Sequence, residues 1–338
     1  MTATTQVRPA RRRSHVRMLV LIVLIAVLGT LATVSLTIGS SDIPPLQALL
    51  AALGVGESGD VFAVQVLRLP RVLVAIAAGG CLGASGALLQ GLMRNPLASP
   101  DIVGVTGGAT LATVLTIGAG VSPSLLPVSA GIGALGATAL LAALSRHTGT
   151  STVRLVLVGI GLHAIVSAAV TLVIARIPAD RLGAAEVWMA GSLHARSTTH
   201  VVIVLLGAAL TLPLAYLLLR RLGALELGDE MSVAMGVPTR TTRTLLLVVA
   251  ALLAGVAVAV AGPIGFVALG APHIARRLVG PTSAAMLTTS AGVGGLLLVA
   301  ADLIGRTILG TTAIPAGIIT AALGAPYLLW LLHQTGRR

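Results

Sequence analysis

Hydrophobic positions in this chain run in long unbroken blocks, and the polar positions collect in the gaps between them. The first block, Met18 to Ser41, carries no charge. It outruns the roughly 7–15-residue core of a signal sequence, so the pattern predicts an uncleaved membrane span. Residues 42–67 read as a polar excursion. The second block, Val72 to Met93, sets Gly79, Gly83, Ala87 and Gly91 at intervals of four, which lines one helical face with small side chains. An uncharged run from Ile102 to Ser145 is broken by Pro-Ser-Leu-Leu-Pro at 123–127, giving third and fourth spans. The remaining blocks are Leu155 to Ala175, Val201 to Leu219, Thr244 to Gly262, Val267 to Leu278, Ala284 to Ile304 and Ala313 to Leu332. Gly-Pro-Ile-Gly-Phe at 262–266 is expected to break the helix before a short eighth span.

Ten spans make this an all-α polytopic membrane protein: a basic tail, residues 1–17, followed by a single transmembrane unit, residues 18–336. The composition agrees, since 56% of the 338 residues are hydrophobic and 9% are charged. With 40 glycines and only 2% aromatics, the helices must meet by close backbone approach. All 22 basic residues are arginine. A chain without lysine has no Walker A loop, which excludes a P-loop ATPase. The single Cys81 excludes an internal disulfide and reads as packing.

The net charge of +12 comes from arginines that flank spans, so it points to topology and not to nucleic acid. With the N-terminus in the cytoplasm, Arg68, Arg71, Arg176, Arg181, Arg196 and Arg306 fall outside and the other sixteen inside. That is the sign the positive-inside rule requires, and it also returns the C-terminus to the cytoplasm. No acid falls mid-span, Asp302 standing near the outer end of the ninth and Asp101 flanking the third, which disfavours an ion-coupled secondary transporter. His163 and His273 lie in different spans with no carboxylate at ligand spacing, so they read as packing, and no metal site is expected. No HExxH or nucleophile–base array appears, so no catalytic residue is expected.

One polar gap stands apart. Leu225 to Val237 holds three of the ten acidic residues, Glu226, Asp229 and Glu230. Asp229 as N-cap, Gly236 at the end and Pro238 beyond it predict one short helix over 230–235, with Met231, Ala234 and Met235 on its apolar side. Such a helix fits a groove on a cytoplasmic partner; the same pattern also fits a solvated loop. The outside arginines Arg68, Arg71 and Arg306 fit either interfacial snorkelling or the docking of an acidic external protein.

Six blocks then carry a resemblance along nearly the whole chain: RLPR at 68–71, SGALLQGLMRNPLASPDIVG at 85–104, WMAGSL at 188–193, LELGDEMSVAMGV at 225–237, AGPIGFVALGAPHIARRLVG at 261–280, and ADLIGR at 301–306 with IPAGIITAALGAP at 314–326. They resemble permease subunits of the iron-siderophore, haem and cobalamin family of ATP-binding-cassette importers, and within it a ferric-enterobactin permease subunit. The resemblance implies the type II importer permease fold in the bacterial cytoplasmic membrane, with a second permease subunit, here a paralogue forming a heterodimer. It implies two ATP-binding subunits that hold ATP and Mg, since this chain binds no cofactor, and an external siderophore-binding protein. The cargo it implies is a ferric siderophore of catecholate type, with haem and cobalamin as alternatives. It makes 225–237 the coupling loop, with Leu225, Glu226, Leu227, Gly228, Asp229, Glu230, Met231, Ala234, Met235 and Gly236 at the ATPase. It assigns Arg68, Arg71 and Arg306 to docking, and Asn95, Leu97 and Thr152 to constrictions of the path. Pro96 alone also explains the turn at 94–97 as helix termination, and Gln90 fits either the path or an interhelical contact.

Overall fold

The computed structural model describes residues 10–39, 41–146, 152–309 and 313–335. Among them every regular element is helical: α1 (Ala10–Thr37), α2 (Pro45–Ala52), α3 (Ser58–Phe62), α4 (Leu69–Met93), α5 (Val105–Gly118), α6 (Leu126–Arg146), α7 (Thr152–Ile174), α8 (Ala179–Met189), α9 (Thr198–Glu226), α10 (Asp229–Ala234), α11 (Thr239–Ala261), α12 (Val267–Val279), α13 (Ala284–Thr307) and α14 (Ala316–Thr335). Seven of the described segments are long and apolar enough to cross a membrane, α5 and the Ala316–Tyr327 part of α14 are shorter apolar helices, and α12 is a third short helix, ending in Arg276 and Arg277. These ten are the ten predicted blocks. The excursion at 42–67 is not a loop: it folds into α2, α3 and a π-helical turn, Ala63–Arg68, that runs straight into α4.

α4 is the central helix, buried along nearly its whole length and packed against α9, α11, α12 and α13. In a bilayer, apolar side chains gain little by leaving lipid for one another, so close packing and interhelical hydrogen bonds must hold the helices together. The small-residue stripe supplies both. A Cβ on Gly79 would stand 2.3 Å from the Gly294 carbonyl oxygen of α13, and one on Gly86 only 1.7 Å from the Ala268 oxygen of α12. Ser85 donates to the Ala250 carbonyl (2.6 Å) and Ser290 to the Gly83 carbonyl (2.7 Å).

The predicted break after α11 is present. Gly262 takes φ +74° and Phe266 φ +69°, and the chain restarts as α12 beside Gly86, well inside the bundle. The Phe266 ring meets Tyr327 of α14 edge-on at 5.7 Å. The connections sort into two ends. The loop end carries the start of α1, the ends of α4 and α12, and residues 226–238. The clamp end carries the end of α1, α2, α3, the start of α4 and the end of α13. Arg17 reaches from α1 to the Val279 carbonyl of α12 (3.2 Å) at the loop end.

Candidate functional site

At the loop end, α9 stops at Glu226 because Gly228 turns the chain with φ +118° and ψ 159°, a conformation that glycine adopts without strain. Gly228 is therefore the N-cap of α10, one residue earlier than the sequence predicts, and Asp229 is the first helical residue. The Asp229 carboxylate instead accepts from Arg243 (2.6 Å) and Arg94 (3.3 Å), where it still complements the positive end of α10. Arg94 is the left-handed C-cap of α4, φ +48°, and its guanidinium also bonds the Leu225 carbonyl. Ser232 is fully buried beneath α10, its hydroxyl 2.8 Å from the Ala224 oxygen and 2.6 Å from the Gly228 oxygen. Gly236, at φ +73°, ends the turn as expected.

These anchors divide the predicted contact residues. Leu225 belongs to the core, and Glu226 is half-buried and accepts from Thr282 (2.6 Å), so both are engaged within this chain. Leu227, Met231, Val233 and Met235 are 52–67% exposed, with Glu230 and Ala234 also exposed near them. Val233 was not legible as part of this exposed set, because residues two apart point to different sides of a helix and spacing does not group it with Met231 and Met235. Ser232→Ala is expected to cost about 1–2 kcal/mol locally. Amide hydrogen exchange over Asp229–Met235 should then quicken while α11 exchanges as before; unchanged exchange would mean that Ser232 does not hold α10.

At the clamp end, Arg68 is buried. Its guanidinium donates to the carbonyls of Leu36 (2.7 Å), Thr37 (2.9 Å) and Ser41 (2.5 Å). Arg306 donates to the carbonyls of Ile38 (3.3 Å) and Ser35 (3.4 Å) and to the Ser35 hydroxyl. The last carbonyls of a helix lack intrahelical donors, and two guanidiniums supply them here while matching the helix's negative end. Arg71 forks onto Asp302, with Nε 3.0 Å from both oxygens and Nη2 2.7 Å from Oδ1. Arg306 Nε lies 3.3 Å from the same carboxylate without hydrogen-bond alignment, a contact of charge alone. Asp302 is 3% exposed.

The three arginines expected on a docking surface are thus turned into the fold, where they tie α1, α4 and α13 together. The signal that could have shown this is Asp302, one helical turn before Arg306. Arg196, in the connection before α9, donates to the Ser192 carbonyl (2.8 Å). Burial, followed by the charge of Arg71, brings its pKa down to about 10.

In the turn after α4, Asn95 is exposed and accepts from the Leu97 amide (2.9 Å), and Leu97 is half-buried. Gln90 is buried and donates to the Leu269 carbonyl of α12 (3.0 Å), an interhelical contact. Thr152 opens α7, and its side chain lies outside the described residues. The turn then rises along α7: a Cβ on Gly159 would stand 3.0 Å from the Ile102 oxygen. Asp101, bonded by the Thr106 hydroxyl (2.6 Å), therefore sits deeper than a flanking position. On α7 itself His163, Ser167 and Thr171 are exposed along one flank, with His163 Nε2 3.5 Å from the Ser167 hydroxyl. His273 stacks edge-on against Tyr327 at 5.9 Å.

Comparison with known proteins gives the same extent. The FecCD transport family matches residues 21–334. The chain is 39% identical over 329 residues to the Fe(3+)-citrate import system permease protein YfmE of Bacillus subtilis (strain 168), covering 97% of this chain and 98% of that protein. It is 37% identical over 308 residues to the ferric enterobactin transport system permease protein FepG of Escherichia coli (strain K12), covering 89% and 91%. A solved structure described as an inward-facing conformation of a metal-chelate type ABC transporter superposes with a TM-score of 0.79 at 31% identity, over 94% of this chain and 99% of that one. With the predicted spans, the half-length α12 and the short α10 all in place, the chain belongs to the FecCD transport family and is a membrane-spanning permease of an ATP-binding-cassette importer.

Proposed function

We propose that this permease moves a ferric siderophore of catecholate type, such as ferric enterobactin, across the bacterial cytoplasmic membrane. The observation that carries the mechanism is the face of Leu227, Met231, Val233 and Met235, exposed at the loop end and braced from beneath by Ser232, Asp229 and Arg94. A separate ATP-binding subunit seats on that face, and ATP with Mg is hydrolysed there, on the partner chain. The loop end is then cytoplasmic, with both termini on that side, and the clamp end faces an external siderophore-binding protein. For Arg68, Arg71 and Arg306, their internal partners support a role in holding helices together ahead of a role in docking.

A second permease subunit, a paralogue, completes the path along α7. A span that turned His163, Ser167 and Thr171 to hydrocarbon would be costly, so this flank faces water or the partner. Asn95 and Leu97, at the loop end, narrow the exit with Thr152. The motif similarity to ferric-enterobactin permeases and the 37% identity to FepG support the cargo. Ferric citrate is the second reading, favoured by the 39% identity to YfmE. Uptake of labelled ferric catecholate, ferric hydroxamate, ferric citrate, haem and cobalamin should be measured in cells lacking only this chain. Loss of ferric catecholate uptake alone, restored by the wild-type chain, is the expected result; loss of any other cargo in its place replaces the assignment.

A further inference from the structure

We propose that α2 is a membrane-embedded surface helix whose leucine face is covered by lipid acyl chains of the leaflet at the clamp end. Its sequence, Pro-Leu-Gln-Ala-Leu-Leu-Ala-Ala, has no charge. Ala48 and Ala51 are buried in one cluster with Leu36 of α1, Val64 and Val72. Leu46, Leu49, Leu50 and Leu53, at helical spacing i, i+3, i+4 and i+7, are 40–79% exposed on the opposite side. Val55, Phe62, Val66 and Leu67 add to the exposed apolar surface of the segment. A patch of this kind calls for an apolar cover.

Depth points to lipid as that cover. Arg17 marks the loop-end boundary of α1, and a hydrocarbon core of about 30 Å takes about 20 helical residues, which reaches Thr37. The last third of α1 is therefore at hydrocarbon depth, and this is where α2 packs. Exposed side chains recur along α1 as far as Thr30, whereas none from Leu31 to Ile38 is exposed, and Ala32 packs against the cluster that holds Ala48 and Ala51. The Ile43 amide bonds the Thr37 carbonyl (3.2 Å), which folds the chain straight back onto the helix end. α2 thus takes over the outward position that α1 gives up, and its leucines continue the apolar belt. The exposed charges nearest to it, Asp42 and Glu57, stand beyond its two ends, where a helix lying in the interface keeps its polar groups. Both are acidic, so attraction to anionic headgroups is not what holds it, and contact with acyl chains is.

The test uses the full-length chain in phosphatidylcholine nanodiscs, with Leu46→Cys or Leu53→Cys carrying an environment-sensitive fluorophore. Glu57→Cys serves as the water-facing reference, and the wild-type chain, whose Cys81 is buried, sets the background. The expected result is blue-shifted emission at both leucine positions. It should be quenched by lipids with nitroxide on the acyl chain, and several-fold less by iodide than at Glu57. Emission and iodide access equal to those at Glu57 would overturn the proposal, because the face would be in water. Shielding from both quenchers would also overturn it, because a protein would be the cover. Both side chains are among the most exposed leucines, so the swaps remove no core contact; Leu49→Cys and Leu50→Cys replace any variant that does not enter nanodiscs.

Discussion

Met231→Asp is expected to abolish uptake while the chain still accumulates in the membrane. The Met231 side chain is half exposed and makes none of the hydrogen bonds that hold α10, so the fold should change by no more than about 0.5 kcal/mol. Binding is another matter, since a carboxylate in the middle of an apolar contact must be desolvated without a partner. A central interface residue is worth about 2 kcal/mol or more, which weakens the seat of the ATP-binding subunit by roughly 30-fold or beyond. The measurements are copurification of that subunit and transport-coupled ATP hydrolysis. Glu230→Arg, on the exposed rim, should lower both by less, and more so at low salt. Full coupled hydrolysis in Met231→Asp would remove the coupling role of this face.

Asp302→Asn is expected to cost about 3–5 kcal/mol of stability, because Arg71 and Arg306 would be left in a nearly buried site without their anion. The readout is the unfolding midpoint of the purified chain in nanodiscs. Removing two partners together, as Arg71→Met with Asp302→Leu, should cost less than the single change. Only Arg306 would then lack its anion, and it keeps the carbonyls of Ser35 and Ile38. Equal stability of wild type and Asp302→Asn would show that the ion pair is not what ties α4 to α13.

The ten spans were legible because the bilayer demands long uncharged blocks, and even the half-length α12 was announced by Gly-Pro-Ile-Gly-Phe. The α4 stripe was legible for a related reason: spacing by four is a property of one helix, whatever it packs against. α2 was not, since eight residues are too few to read as a span and the charges of Asp42, Glu57 and Asp60 made the whole 42–67 stretch read as polar. The cap of α10 was misplaced by one residue because Gly228 and Asp229 are both good N-caps, and only the backbone turn chooses between them. The clamp was only half visible: Asp302 stands one turn before Arg306, but its other partner is far away in sequence. Arg71 finds Asp302 across 231 positions of sequence, and no local pattern tells a guanidinium that will be buried from one that will face water.

α1 is pinned at its clamp end by Arg68, made some 30 residues later, but its other partners come very late. Arg17 bonds Val279, and Ile38 and Ser35 wait for Arg306, some 270 residues downstream. At about 5–20 residues per second, that interval is on the order of tens of seconds. During it the first helix is held at its clamp end alone, which it tolerates because only 11% of its apolar window is buried even in the finished fold. Assembly of this chain therefore closes by its last-made helices reaching back to lock the first, and a nascent chain halted before Val279 would hold α1 by its clamp end only.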